Sequence, residues 1–287
     1  MSVANYIHMN AKKKRPLALA TESGTLAART NPTFARVGVR APKLSHLVAE
    51  RLRTMIAAGE LRPGDTLPSE AELLRQFNVS RPIMREALRV LEAESLIRLG
   101  RGARAGATLL TPSILTAAKY GGLYLATQGT TLGDIHQVRT LLEPPLAASL
   151  ASRAKKDFVK ELEDWSKVQH EALGRKDYAG AIAAVNQFHQ CMGTHSENSA
   201  LKLLAGMLND ISAAAYPRLL LSRPNQKAIW ERTEESIEAH AQFLKLINTG
   251  KAAQAETFWR KYMQDTADFL TKNGLANLPV DIPRSFE

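Results

Sequence analysis

More than half of this sequence, from residue 113 to residue 272, is a series of amphipathic helix patterns separated by short breakers. Breakers such as Gly129, Gly174, Pro224 and Gly250 end one pattern before the next begins. The predicted helices cover roughly residues 113–126, 131–153, 157–173, 177–194, 198–221, 226–248 and 251–272. Consecutive helices joined by short turns favour an antiparallel bundle, so we predict an all-α C-terminal half.

The residues before Pro112 follow a different order, in which three helices precede a hairpin. Apolar residues at helical spacing predict a first helix over residues 44–56. Ser69 and Glu72 have the spacing of a capping box and predict the start of a second helix. Ser80 is expected to cap a third helix, which continues to about Glu94.

Two short apolar segments, residues 96–99 and 107–110, flank a turn at Gly100-Arg101-Gly102 and predict a two-stranded hairpin. Helix, helix, turn, helix and hairpin is the order of a winged helix-turn-helix domain. The predicted fold class is therefore mainly α, with an N-terminal winged helix-turn-helix and a C-terminal antiparallel helical bundle.

The positive charge of the chain is concentrated in its first two fifths. The formal net charge is +10, from 38 Lys and Arg against 28 Asp and Glu. Residues 1–112 hold 18 basic and 9 acidic residues, whereas residues 113–287 hold 20 and 19. A basic domain beside a neutral one indicates that the front half meets a polyanion. Charge alone leaves nucleic acid, an anionic membrane and simple solvation as alternatives.

The composition also excludes several protein classes. Cys191 is the single cysteine, so an intrachain disulfide is impossible, and we expect this side chain to be a small buried hydrophobe. The sequence has no apolar run long enough for a transmembrane helix, and the stretch after Lys12–Arg15 is too short for a signal peptide. We expect a cytoplasmic, nucleoid-associated protein whose residues 1–40 form a flexible basic arm.

The third predicted helix carries a cationic stripe. Arg81, Arg85 and Arg89 recur at i, i+4 and i+8 and therefore share one helix face. Arginine suits guanine, because its planar fork matches the O6 and N7 acceptors in the major groove. The alternative is a solvated face on which the arginines pair with Glu86 and Glu92. A neighbouring apolar stripe is expected to pack on the first two helices; its residues are Ile83, Ala87, Val90 and Leu91.

The stretch GELRPGDTLPSEAELLRQFNVSRPIMREALRVLEAESLIRLGRGA closely resembles the DNA-binding domain of the GntR superfamily of bacterial transcription regulators. The resemblance covers about residues 43–110 and includes the Pro-Ser-Glu, Val-Ser-Arg and Arg-Glu-Ala-Leu elements. It implies that Arg81 and Arg85 read bases, and that Arg101-Gly102 is a wing tip that enters the minor groove. It also implies that Ser69 and Ser80 cap helices that contact phosphates.

Two positions depart from that family's pattern. Ala71 stands where many relatives have a DNA-contacting arginine, so one contact is expected to be absent. Ser95 stands where a glycine usually closes the recognition helix, so we expect strain at this end.

Residues 131–270 resemble the FCD effector domain of the FadR subfamily. The resemblance rests on TLGDIHQVRTLLEP at residues 131–144, with Phe188-His189, Asn198-Ser199-Ala200-Leu201 and Glu238-Ala239-His240 further along. It implies a helical bundle with a central cavity, a small effector in that cavity and a homodimer. A symmetric dimer predicts a palindromic operator that receives one recognition helix per half-site.

Many FCD domains hold a divalent metal such as zinc or nickel with one Asp and three His. The equivalent positions in this chain are Val185, His189, His240 and Tyr262, so only two strong ligands remain. We therefore predict no cofactor, and hydrogen-bonded pocket roles for His189 and His240. If a metal did bind, these two histidines would be its ligands.

The effector pocket is predicted to contain Arg139, His189, His240 and Tyr262. Arg139 lies four residues before Glu143, so it either neutralises that carboxylate or faces the cavity and meets an anionic effector. Aromatic residues at apolar positions, such as Tyr216, are expected in the core. Donors and one positive charge within apolar walls favour an amphipathic organic acid or acyl derivative over a small dicarboxylate.

Two functions of different classes could use a winged domain joined to a helical bundle. The first is a ligand-responsive DNA-binding transcription regulator, expected to repress and not to be an enzyme. The second is a helical-bundle metal enzyme with a fused DNA anchor, which needs Glu-x-x-His pairs; positions 186 and 237 are Asn186 and Ile237, which disfavours it. The predicted domains are an arm (1–40), the winged domain (41–112), a connecting helix (113–130), the effector and dimerisation domain (131–275) and a tail (276–287).

Overall fold

The computed structural model describes residues 43–100, 106–216 and 226–283, and it confirms the predicted fold class. Helices α1 (Leu44–Ala57), α2 (Glu70–Phe77) and α3 (Arg81–Ala93) precede strands β1 (Ile97–Leu99) and β2 (Ala107–Leu109). The two strands pair antiparallel, with Ile97 opposite Leu109 and Leu99 opposite Ala107. This is the predicted winged helix-turn-helix order.

Helices continue after the hairpin. They are α4 (Ile114–Thr127), α5 (Leu132–Arg153), α6 (Lys156–Gly174), α7 (Tyr178–Thr194), α8 (Ser199–Ala214), α9 (Gln226–Asn248) and α10 (Ala252–Lys272). Helix α5 packs on α10, α6 on α7, and α4 on α8. None of the described helices combines the length and the apolar character needed to cross a membrane.

Each part of the fold has its own buried core. In the winged domain, Leu52, Met84 and Leu91 pack with the strand residues Ile97 and Leu109. The inner face of α3 is shifted from the predicted stripe, because Met84, Ala87, Leu88 and Leu91 are buried whereas Ile83 and Val90 are half-buried. In the helical part, the largest buried side chains come from α6, α7, α9 and α10; they are Phe158, Phe188, Phe243 and Trp259.

The two predicted caps at the DNA-reading helices behave differently. Ser69 forms the predicted capping box, in which its hydroxyl accepts from the Glu72 amide and the Glu72 carboxylate accepts from the Ser69 amide. Ser80 occupies the N-cap position of α3, but its side chain makes no cap hydrogen bond, so that prediction is wrong. Pro82 at the second helical position removes one of the two amides that a cap side chain can bind, so the Ile83 amide is the one that remains for Ser80.

The predicted tail is partly built into the fold. The Val280 amide donates to the Thr130 carbonyl and the Leu132 amide donates to the Leu278 carbonyl, so the chain end crosses the start of α5. Val280 itself is buried. Residues 276–283 therefore pack on the helical domain, and residues 284–287 lie outside the described residues. The other predicted domain boundaries stay a prediction.

Ser95 ends the recognition helix in the left-handed region, with φ of 58°. A residue with a Cβ atom is strained there, whereas glycine is not. We expect Ser95→Gly to raise the free energy of unfolding by up to about 1 kcal/mol, as measured by urea denaturation. Ser95→Ala keeps the Cβ atom and should give no such gain; an equal gain from both variants would contradict the backbone explanation.

Candidate functional site

The cationic stripe of α3 is exposed, as a DNA-reading surface requires. The side chains of Arg81 and Arg85 are 71% and 63% exposed. Their acidic neighbour is Glu70 on α2, whose Oε1 lies 4.0 Å from the Nε of Arg81 and 3.2 Å from the Nε of Arg85. The alternative pairing with Glu86 and Glu92 is not among the ion pairs of the described residues, and Glu92 accepts a hydrogen bond from the Leu99 amide.

These ion pairs leave the arginines available for DNA. Exposed pairs contribute about 0–1 kcal/mol, so a phosphate or a base edge can replace Glu70 at little cost. A cleft between α3 and the hairpin is lined by Arg85, Arg89 and Gly100, which places the wing beside the recognition helix. The predicted wing-tip residues Arg101 and Gly102 lie outside the described residues.

The helical domain contains a cavity of about 120 Å³ between α5, α7, α8, α9 and α10. Three of the four predicted effector residues line it, namely Arg139, His189 and Tyr262. The fourth, His240, lies behind this wall, where its ring is fully buried and stacks on Phe188 with the ring centroids 4.0 Å apart. Tyr216 packs against a buried cluster, as expected of a core residue, and it also lines the cavity.

Arg139 and Glu143 form a buried ion pair. The Nε of Arg139 donates to the Oε1 of Glu143 over 2.6 Å, and both side chains are less than a tenth exposed. The Oε2 of Glu143 accepts from the indole N–H of Trp259 at 3.0 Å and lies 2.8 Å from the Nδ1 of His189. Burial alone would raise the pKa of Glu143, but Arg139 and His189 hold this pKa well below its usual range.

The structure shows a feature of each alternative for Arg139, because its guanidinium pairs with Glu143 and the residue also lines the cavity. Every oxygen of Glu143 is engaged, and the charge of Arg139 is balanced within the cavity wall. An effector anion would have to compete with this carboxylate for the same guanidinium.

Burial lowers the pKa of the three histidines around the cavity. Burial lowers the pKa of His136 to about 4, with Arg139 adding to the effect, and its Nε2 donates to the Met263 carbonyl at 2.8 Å. Burial likewise lowers the pKa of His189, and that of His240 still further. Burial therefore disfavours the charged form of each of these imidazoles.

The described donors do not match the metal site of FCD domains. The Nδ1 of His240 is hydrogen-bonded to the side-chain amide of Gln169, whose nitrogen also donates to the Ala184 carbonyl, and the Nε2 of His240 is buried without a partner. The Nε2 of His189 lies 3.3 Å from the hydroxyl of Tyr262. Val185 offers no ligand atom. Within the described residues, no group of three His, Cys, Asp or Glu ligands converges on this cavity.

Arg232 is the cavity residue that sequence reasoning missed. Its side chain is 13% exposed, and its Nε is buried without a partner. One terminal nitrogen donates to the exposed Glu235, and the other donates to the Tyr262 carbonyl and to the Thr266 hydroxyl. The signal was present, because Arg232 lies eight residues before His240 and so shares its helix face.

Four hydroxyl groups complete the polar part of the cavity wall. Each donates to the carbonyl four residues earlier in its own helix, over distances of 2.7 to 2.9 Å. Their oxygens retain lone pairs that can accept from a ligand. The residues are Ser212, Thr233, Ser236 and Thr266.

Comparisons with known proteins agree with this geometry. Residues 44–105 match the model for bacterial regulatory proteins of the gntR family, and residues 134–265 match the FCD domain. The chain is 25% identical over 254 residues to the HTH-type transcriptional repressor NanR of Enterobacter sp. (strain 638), covering 88% of this chain and 94% of that protein.

One further relative and one solved structure are also similar to this chain. NanR of Cronobacter sakazakii is 29% identical over 177 residues, which are 61% of this chain and 67% of that protein. A solved GntR structure from Streptococcus agalactiae superposes with a TM-score of 0.57 at 22% identity, covering 78% of this chain and 99% of that one, and supports the fold alone.

Proposed function

This chain belongs to the GntR family of bacterial regulatory proteins and is a ligand-responsive DNA-binding transcription regulator with an FCD domain, and we propose that a compact organic acid controls it by binding Arg232. The relatives reported above are named repressors, which supports repression here as well. The proposal assigns the protein no enzymatic activity and places it with its operator DNA in the bacterial cytoplasm.

The observation that carries the proposal is the buried Nε of Arg232, which has no partner. A buried donor without a partner costs about 1–3 kcal/mol, so a ligand that supplies an acceptor recovers this energy on binding. A carboxylate fits best, because a charged acceptor makes the strongest hydrogen bond to a guanidinium N–H. Arg139 offers less, since its Nε already donates to the buried Glu143, whereas the acidic neighbour of Arg232, Glu235, is 65% exposed.

The size of the cavity favours a compact acid over a long acyl chain. Its volume of about 120 Å³ is close to the ~150 Å³ of a cavity that holds benzene. Apolar side chains such as Ile182, Ile229 and Phe269 line the rest of the wall. The hydroxyl oxygens near Arg232 suit an acid that also carries a hydroxyl group.

We propose that this effector binds without an obligatory metal. The support is the donor set: the Nδ1 of His240 is held by Gln169 and its ring does not line the cavity, the Nδ1 of His189 is held by Glu143, and position 185 is valine. Binding then changes operator affinity only if the acid binds one arrangement of the two winged domains more tightly than another.

The test uses chelator-treated protein and a series of monocarboxylic acids of increasing size, each paired with its neutral amide. We expect a compact acid to raise the thermal midpoint and to change operator affinity, while its amide does neither. At 100 times its dissociation constant, the acid should stabilise the fold by about 2.7 kcal/mol. Arg232→Gln should abolish both responses.

Arg260→Gln is the matched control, because Arg260 lies on α10 and pairs with the surface residue Glu256. It should leave both responses intact. A response that survives in Arg232→Gln would contradict the assignment of Arg232. A response that disappears with chelator and returns with zinc or nickel would contradict the metal-free site.

We further propose that the protein is a symmetric homodimer on a palindromic operator. Helices α5 and α8 pack against each other and expose apolar side chains to solvent. These are Val138 and Leu141 on α5, and Leu203 and Leu204 on α8. An apolar face of this kind is typical of a subunit interface.

Leu141→Glu should break this dimer, because symmetry places two carboxylates in one apolar interface. We expect the dimer dissociation constant to rise by about 100-fold or more in sedimentation experiments. Val168→Glu is the matched control, since Val168 is an exposed apolar residue of α6, at 41% against 55% for Leu141. Equal effects of the two changes, or a wild-type monomer at micromolar concentration that binds the operator fully, would contradict the proposal.

A further inference from the structure

A second cluster of ligand-type side chains lies outside the cavity. Glu161 on α6, Cys191 on α7 and His195 at the end of α7 each place one ligand atom within 4.8 Å of the other two. Among the described residues this is the one group of three His, Cys, Asp or Glu side chains with that property. None of the three lines the effector cavity.

We propose that Glu161, Cys191 and His195 form a binding site for one divalent metal ion of the zinc class. Thiolate, imidazole and carboxylate are the ligands that zinc takes in proteins, and three of them with one water give the usual four-coordinate site. The thiolate and the carboxylate together match the charge of the ion. The thiol proton of Cys191 leaves to the solvent when the metal binds.

The spacing of the cluster is close to that of a tetrahedral site. With metal–ligand bonds of about 2.0–2.3 Å, neighbouring ligand atoms of a tetrahedron lie about 3.5 Å apart. Here the Nε2 of His195 is 3.5 Å from the Oε2 of Glu161. One ligand atom of each of the three side chains, Cys191 included, lies within 4.8 Å of the other two. The imidazole and the carboxylate therefore already have the spacing of neighbouring ligands.

The orientation of His195 selects Nε2 as its metal ligand. Its Nδ1 lies 3.0 Å from the Cys191 carbonyl and donates its proton there, so the lone pair of Nε2 is directed toward Glu161. A second nitrogen fixed by a backbone carbonyl is the usual arrangement of metal-binding histidines. His195 also caps the C-terminus of α7, where the helix dipole favours a cation.

The cluster is accessible from solvent. The Glu161 side chain is 46% exposed and that of His195 is 26% exposed, whereas Cys191 is buried as the sequence predicted. An ion can therefore reach the carboxylate and the imidazole first and the sulfur last. The ring of Phe158 packs 5.1 Å from that of His195 and forms an apolar wall beside the site.

The test is a titration of the full-length, chelator-treated protein with Co²⁺, followed by Zn²⁺. Because Cys191 is the single cysteine, a thiolate-to-cobalt charge-transfer band in the near ultraviolet identifies this site and no other. We expect the band to saturate at one ion per chain and to disappear when Zn²⁺ displaces the cobalt. Cobalt in the effector cavity would give no such band.

Glu161→Gln and His195→Gln should each weaken cobalt binding by about tenfold or more, and Cys191→Ala should remove the band. Glu171→Gln changes an exposed carboxylate of the same helix and should leave the titration unchanged. Glu161 is exposed, so its variant keeps the test valid even if Cys191→Ala fails to fold. The absence of the band at one equivalent, or its persistence in both the Glu161 and His195 variants, would overturn the proposal.

Discussion

Glu143→Gln is expected to lower the free energy of unfolding by about 3–5 kcal/mol at pH 7. The variant keeps the size of the side chain but removes the carboxylate charge that pairs with Arg139. It also places an amide where a carboxylate oxygen now serves both Trp259 and His189. Urea denaturation monitored by the fluorescence of Trp259 and the other tryptophans measures the loss.

Glu256→Gln is the matched control, because Glu256 also pairs with an arginine four residues away but is partly exposed. It should cost about 0–1 kcal/mol. Adding Arg139→Met to Glu143→Gln should recover most of the loss, since no unpaired charge then remains buried. Equal losses for Glu143→Gln and Glu256→Gln would show that the buried network contributes no more than a surface pair.

The difference in the free energy of unfolding between wild type and Glu143→Gln should depend on pH in a defined direction. The folded state holds the pKa of Glu143 below its usual value of about 4.3, so the stabilisation is present above that pH and is lost as the pH falls further. The difference in the free energy of unfolding between wild type and Glu143→Gln should therefore be largest near neutral pH. This difference should become smaller as the pH drops below about 4.

The order of the helices was predictable because its signals are local. The Ser69–Glu72 capping box and breakers such as Gly129 and Gly250 act within a few residues, and each falls where the structure ends or starts a helix. The wrong prediction of a side-chain cap at Ser80 also concerns local signals. The proline two residues later removes one of the backbone amides that a cap side chain can bind.

The side chains around the cavity and their partners were less predictable, because these contacts join distant parts of the chain. The Glu143 carboxylate is shared with His189 and Trp259, which lie 46 and 116 residues further along the sequence. Only these contacts decide that Arg139 is neutralised rather than free. Arg232 was missed for a different reason. Its helix face could be predicted from the sequence, but the resemblance to the FCD metal site did not include this position.

Loss of sequence-specific DNA binding is the second large effect expected. Arg81→Ala and Arg85→Ala should each cost about 1–3 kcal/mol on the operator and relax base preference, if both side chains bind guanine in bidentate fashion. The arginines are exposed and contribute little to folding through Glu70, so the variants should keep the wild-type stability. Fluorescence anisotropy with operator and scrambled duplexes separates specific from general binding.

Basic residues outside α3 are expected to strengthen DNA binding without sequence preference. Changing Lys12, Lys13 and Lys14, which lie outside the described residues, to alanine should weaken binding to both duplexes alike and flatten the salt dependence. The α3 variants should instead lose the difference between the duplexes, because base contacts specify whereas phosphate contacts position. If the arginine variants kept full operator preference, α3 would not be the reading helix, and the wing would have to carry the specificity.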